Sequence, residues 1–265
     1  MEGVATRVVL GLWTALVVLF LLFPIALIVV YAFNASNVQG WPITDFSTRW
    51  FGAAWHDDEI RGALWLSVKA GLLATGGALV LGSLAAFAVH RFRFFGREAI
   101  SFLVVLPIAL PGIITGMALN RFFATGGIDF SLWTIVIGHA TFCIVIVYNN
   151  LLARLRRTPT SLVEASMDLG ADGWQTFRYV TAPMISTALV AGGLLAFALS
   201  FDEVIVTYFT AGAQNTLPLQ ILGMIRQGQN LPEVNATILA VIALTLLPVI
   251  VSVRLTRETG VLRRR

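Results

Sequence analysis

Six long apolar runs alternate with short polar ones along the 265 residues. Window hydropathy places the runs at roughly 8–33, 62–89, 99–123, 131–153, 184–211 and 235–254. Each is close to or above the roughly 20 residues a helix needs to cross a hydrocarbon core. The runs are continuous and do not alternate with a period of two, so they predict helices and exclude a β-barrel. Lipid offers no water to backbone N–H and C=O groups, which leaves the helix as the remaining way across. The first run is too long for the apolar core of a signal peptide and no small-x-small cleavage pattern follows it, so it is expected to stay as a span. The predicted fold class is an all-α integral membrane protein with six transmembrane helices.

Composition agrees. Hydrophobic residues make up 57% and charged residues 12%, about half the charged share of a soluble domain, and the mean hydropathy is +0.83. The few charges therefore report topology and function. Thirteen arginines fall on one side: Arg7, Arg91, Arg93, Arg97, Arg154, Arg156, Arg157, Arg178, Arg254, Arg257 and Arg263–Arg265. Four fall on the other, Arg49, Arg61, Arg121 and Arg226. The bias assigns both termini and the 154–183 segment to the cytoplasm. It also accounts for the pI near 9.8, so no nucleic-acid partner is needed. The opposite side has one sizeable loop, about 34–61, where Trp41, Trp50 and Trp55 read as interfacial anchors. The organisation expected is an N-terminal helix and outer loop at 1–61, a five-helix core at 62–254 and a basic cytoplasmic tail at 255–265.

Prolines and polar residues punctuate the runs. "LPIALPGIITG" puts Pro107 and Pro111 inside the third, which predicts a kink serving either packing or a pathway. His139, Asn149 and Asn150 lie within the fourth and suit interhelical hydrogen bonds. Cys143, the single cysteine, reads as a small buried hydrophobe.

One cytoplasmic stretch breaks the apolar pattern: "VEASMDLGADGWQTFRYVTAP", Val163–Pro183. At helical spacing Glu164, Asp168 and Asp172 form an acidic row, and Val163, Met167, Ala171 and Trp174 form a neighbouring apolar stripe. Ser161 and Glu164 have the spacing of a capping box. Gly170 and Gly173 turn the chain, and Pro183 suits the first turn of the next span. An interfacial helix on anionic lipid would carry basic residues on its polar face. An acidic row fits a groove on a soluble protein partner better.

At these residues the chain resembles the permease subunits of bacterial ABC importers (type I). Their cytoplasmic signature, the EAA motif, is Glu-Ala-Ala, three residues, Gly, nine residues, Ile-x-Leu-Pro. Here it reads Glu164-Ala165-Ser166, Gly170 and Val180-Thr181-Ala182-Pro183, departing at Ser166, Val180 and Ala182, each still small or apolar. "FPIALIVVYAFN", "LPIALPGIITG", "GHATFCIVIVYNN", "LSFDEVIVTYFTAG" and "PEVNA" resemble the polyamine (spermidine/putrescine) branch, and together cover most of the chain. The resemblance implies a type I importer permease (MetI-like) fold, multi-pass in a bacterial inner membrane. Residues 160–183 would then be the coupling helix that docks on an ATPase subunit, with Glu164, Ala165, Ser166, Asp168, Gly170 and Trp174 carrying the contact. The implied partners are a second, homologous permease forming a heterodimer, two ATPase subunits that bind ATP and Mg, and an extracytoplasmic substrate-binding protein.

Asp202 and Glu203 sit in the fifth run, where a charge costs about 2.5–3.5 kcal/mol on insertion scales. Asp202 lies about 28 Å along the helix from Pro183, toward the outer end. Either acid suits a polyammonium substrate, with Tyr208 offering a cation–π face. Either could instead pair with Lys69, Arg121 or a neighbouring subunit. The only lysine, Lys69, follows Val68, so no Gly-Lys-Ser/Thr P-loop exists; nor does HExxH or GxSxG. The chain is thus expected to be non-catalytic, with no metal and no cofactor of its own, and to borrow ATP hydrolysis. The alternative is a stand-alone secondary transporter or channel with Asp202, Glu203 and His139 as an ion relay.

Overall fold

The structure, a computed structural model, describes residues 3–228 and 230–244. The apolar runs within that range are helical, and no β-strand occurs among the described residues. The long helices are α1 (Val4–Ala32), α3 (Asp58–Arg91) and α6 (Leu132–Arg157). Capping sets their ends. Asp57 Oδ1 accepts the backbone N–H groups of Glu59 and Ile60 at 2.8 and 3.0 Å, which starts α3. Acids occupy its first turn and His90 and Arg91 its last, as the helix dipole favours. A reciprocal Ser131–Thr134 capping box opens α6, and Arg154, Arg156 and Arg157 close it.

Two predicted spans are broken. The third divides into α4 (Arg97–Ala109) and α5 (Gly112–Thr125), which meet at 103°. A proline disfavours helical backbone in the residue before it. Leu110, before Pro111, accordingly lies at φ −84°, ψ 142°, and the helix stops there. The fifth divides into α9 (Ala182–Phe201) and α10 (Ile205–Thr210), with Asp202, Glu203 and Val204 in the break. By length and composition the described residues hold four membrane-crossing helices, and a fifth if α4 and α5 cross as one. The sixth run begins in a shorter apolar helix, Leu231–Leu244, which follows another at Leu217–Gln227. The rest of that run, and the basic tail at 255–265, lie outside the described residues.

The chain forms two compact units. The larger, Gly62–Gln220, is organised on α6, whose Ile135, Cys143, Val145 and Leu151 are fully buried. α3 meets α6 through small residues four apart: Ala70, Ala74, Ala78, Gly82 and Ala86. Such a ladder lets backbones approach closely where lipid supplies no hydrophobic drive between helices. The approach is tightest at Gly82, where an added Cβ would stand 2.9 Å from the Ile144 carbonyl oxygen.

The other unit joins residues up to Arg61 with those from Ile221 onward. The segment that follows α1 holds more structure than the sequence suggests. α2 (Arg49–His56) folds within it and buries Trp50, whose Nε1–H donates to the Asn34 carbonyl at 2.8 Å. Trp50 therefore packs with Ala32 and Ala236 as a core residue and is no interfacial anchor. Its indole N–H has a protein partner, which is what makes burial affordable. Trp41 and Trp55 remain exposed.

Gly82→Leu is expected to destabilise the purified chain by about 1–3 kcal/mol through overpacking, read as a lower melting temperature in detergent. Gly77→Ala, with no described atom outside its own helix backbone within 4 Å of the new Cβ, is expected to leave the melting temperature unchanged or slightly raised.

Candidate functional site

The Val163–Pro183 stretch folds as two short helices, α7 (Thr160–Asp168) and α8 (Gly173–Thr176). α7 begins directly after Pro159, with Ser161 already inside it and no side-chain cap. The Ser161–Glu164 capping box is therefore absent. It ends in a Schellman motif: the Gly170 N–H donates to Met167 O at 2.9 Å and the Ala171 N–H to Ser166 O at 3.1 Å. Gly170 holds φ at +87°, the left-handed region that favours glycine. Among the described residues, chain neighbours aside, nothing lies within 4 Å of a Cβ placed there.

Because α7 stops at Asp168, Asp172 does not extend an acidic row from Glu164 and Asp168. It caps α8 instead. Asp172 Oδ1 accepts the Gln175 N–H at 2.8 Å, and Gln175 Oε1 accepts the Asp172 N–H at 3.0 Å. Glu164 and Asp168 stay exposed on α7. Ser166 joins the two helices. Its Oγ lies 2.8 Å from Thr176 Oγ1 and donates to Val163 O at 2.9 Å, so Thr176 is the donor between them. Thr176 is buried, and sequence reasoning passed over it. Trp174 stacks on Phe177, and Phe177 meets Phe87 of α3 edge-on.

Large apolar side chains on and beside this pair are open, next to the exposed Glu164 and Asp168. Leu169 is 89% exposed, Tyr179 71%, Trp174 66% and Leu162 50%. Each large apolar side chain left in water forgoes about 1.5–3 kcal/mol.

α8 does not end before the membrane. A single π turn, Phe177–Thr181, joins it to α9, so the helix is continuous over the 29 residues of Gly173–Phe201. Pro183 cannot donate a backbone hydrogen bond. The turn absorbs that loss, with the Ala182 N–H reaching back to Phe177 O. Arg154 Nε donates to Met184 O at 2.8 Å and ties the end of α6 to this rod. At 1.5 Å per residue the rod is about 44 Å long. Its far end is the break at Asp202.

That break is held by polar side chains. Glu203 Oε1 accepts the Val206 N–H at 2.9 Å, and Thr207 Oγ1 donates to Glu203 O at 2.7 Å. His139 of α6 spans the gap: Nδ1 lies 2.7 Å from Ser200 Oγ and Nε2 2.8 Å from Thr207 Oγ1. Since Thr207 gives its proton to Glu203 O, Nε2–H donates to Thr207 and Nδ1 accepts from Ser200. A neutral imidazole satisfies this network completely. On the far side of α10, Asn120 Nδ2 of α5 donates to Phe209 O at 2.7 Å, and Gly116 passes so close that a Cβ would sit 2.7 Å from the Phe209 ring. The two broken spans thus brace each other.

The two acids have different surroundings. Glu203 is half-buried and spends a carboxylate oxygen capping α10. Asp202 is exposed, and neither acid forms an ion pair with a described cation. Lys69 lies over the Trp65 ring at 5.2 Å. Tyr208 is exposed on α10 with no hydrogen bond to Asp202. His139 makes the interhelical bonds expected of it. Asn150 does not, since its amide donates to Ile146 O of its own helix at 2.9 Å. Asn149 is exposed.

Residues 78–258 match the family described as binding-protein-dependent transport system inner membrane component. The chain is 38% identical over 229 residues to the putrescine transport system permease protein PotI of Escherichia coli K12, covering 82% of this chain and 79% of that protein. It is 31% identical over 257 residues to the spermidine/putrescine transport system permease protein PotC of the same strain, covering 95% of each. Among solved structures it resembles a chain of a bacterial ABC transporter that imports the acidic polysaccharide alginate, with TM-score 0.70, 19% identity and coverage of 97% of this chain and 98% of that one. That likeness speaks for the fold.

His139→Phe fills the same space but leaves the Ser200 and Thr207 hydroxyls without their imidazole partner. It is expected to cost about 1–2 kcal/mol, measured as a lower melting temperature, with His139→Gln recovering part of the loss.

Proposed function

The chain belongs to the family of binding-protein-dependent transport system inner membrane components, and from that premise we propose that it lines, with a second homologous permease, the pathway of an importer for small polyamines. The permease names of its relatives, putrescine and spermidine/putrescine, support that substrate class. The chain has no P-loop, so ATP and Mg belong to two partner ATPase subunits. An extracytoplasmic binding protein delivers the substrate. In this reading both termini and residues 160–183 face the cytoplasm.

The observation that carries the proposal is the continuous helix from Gly173 to Phe201. At its cytoplasmic end, α7 and α8 present Glu164, Ala165, Asp168 and Trp174 to the ATPase, held in register by Ser166 and by the turn at Gly170. At its other end stand Asp202 and the polar break. A displacement of the docking helices moves a rigid rod and bears on the break, which is the linkage alternating access requires. Asp202, exposed and unpaired, is the carboxylate for the cationic substrate, and Tyr208 adds an aromatic face. Glu203 shapes the break by capping α10. An ion relay through Asp202, Glu203 and His139 has less support, because both imidazole nitrogens are committed to hydroxyls.

In the reconstituted complex with its binding protein, uptake of labelled putrescine and spermidine is expected to need ATP and the co-purified ATPase. Uptake by the chain alone on an ion gradient overturns the reading. Gly170→Ala is expected to cut transport at least tenfold, while Gly170→Asn, whose side chain tolerates the left-handed region, keeps more of it. The reverse order would mean that close approach of the partner, and not backbone conformation, sets the glycine. Asp202→Asn is expected to lower uptake without altering ATPase association.

A further inference from the structure

The turn between α3 and α4 lies away from the docking helices in the chain and has no part in the transport reading. Its sequence, Arg91-Phe92-Arg93-Phe94-Phe95-Gly96-Arg97, interleaves guanidinium groups with aromatic rings. α3 ends at Arg91 and α4 begins at Arg97, with Gly96 at φ +87° reversing the chain between them. Phe92 and Phe94 are exposed and Phe95 is fully so. Three aromatic rings open to the surroundings at the end of a membrane-crossing helix need an apolar medium. Residues 93–99 line an open concavity, with Arg93 and Arg97 among its walls and Glu98 its one acid. Arg97 and Arg156, the latter from the end of α6, both act electrostatically on His90, so positive charge from α3, α4 and α6 gathers at one place. Arg91, Arg93, Arg97 and Arg156 have no carboxylate partner among the described residues.

We propose that this turn is a binding site for the headgroup of an anionic phospholipid. The rings enter the headgroup–acyl boundary, where Phe side chains beside basic residues bury their apolar surface. The arginines take the phosphate, which a guanidinium fork can hold with two parallel hydrogen bonds. A basic patch at a helix end is drawn to an anionic leaflet, and apolar side chains beside it fix the depth. A docking protein would satisfy the charges, but it would have to cover Phe95, Phe94 and Phe92 as well. Lipid does both with a single molecule at the place where the helix already leaves the membrane.

The test uses the full chain in the complex, extracted into mild detergent and exchanged into nanodiscs of phosphatidylcholine with increasing phosphatidylglycerol. Native mass spectrometry counts retained phosphatidylglycerol. Arg93→Gln with Arg97→Gln is expected to lower its retention more than tenfold, at about fivefold for each arginine. The double Lys variant is expected to keep much of it, and Phe95→Ser to weaken it severalfold. Arg226→Gln, near the end of the helix Leu217–Gln227, serves as the charge control and is expected to change nothing. Melting temperatures in pure phosphatidylcholine separate misfolding from lost binding. Equal retention by the double Gln variant and the native protein overturns the proposal. So does displacement by soluble glycerophosphate at equal affinity, which would make the turn a phosphate site, or loss of ATPase subunits with lipid retained, which would make it a subunit contact.

Discussion

A bilayer core supplies no hydrogen-bonding solvent, so every interruption of a helix inside it must be repaired by the protein itself. That constraint governs the spans of this chain and, more tellingly, their breaks. Pro111 removes a donor and forces Leu110 out of the helix, and α5 starts anew at a sharp angle. At the second break the repair is done by side chains. Glu203 caps α10, Thr207 closes on Glu203, and His139 reaches from α6 to both sides of the gap. α6 can do this because it is deeply packed, its own Cys143, Val145 and Leu151 fully buried.

The same economy explains the small-residue ladder of α3. Between helices in lipid, contact energy comes from close packing, since burial from lipid gains little. Ala70, Ala74, Ala78, Gly82 and Ala86 bring α3 against α6 and leave that pair as a stiff frame. The rod Gly173–Phe201 then runs beside a fixed support. Its attachment at Arg154 to Met184 and its contact through Phe87 to Phe177 sit near its α8 end, while the His139 network sits at the break. The result is a closely packed pair beside one long continuous helix that ends at a polar break.

Much of this was readable in the residues. The apolar runs marked the helices, the arginine bias offered an orientation, and the spacing from Glu164 to Gly170 to Pro183 pointed to the importer permeases, a family the match over residues 78–258 bears out. Other readings failed for specific reasons. The acidic row through Asp172 assumed one helix, but Gly170 ends α7 first and frees Asp172 to cap α8. Trp50 looked like an interfacial anchor because a lone tryptophan in a loop gives no hint that α2 will fold over it.

Sequence by itself determined what is local: which stretches are apolar enough to cross a membrane, where a proline or glycine forbids the helix to continue, and which chemistry is missing because no P-loop exists. These follow from side-chain type and from backbone angles within a few residues. Only the tertiary structure decided what depends on residues far apart. It separated Asp202 from Glu203, two neighbours that sequence treated alike, because Glu203 turns its carboxylate to the Val206 N–H while Asp202 faces outward. It gave His139 its role by placing Ser200 and Thr207, more than sixty residues along the chain, on its two nitrogens. It also made one rod of α8 and α9, since whether a helix survives a proline depends on the turn that takes up the lost hydrogen bond.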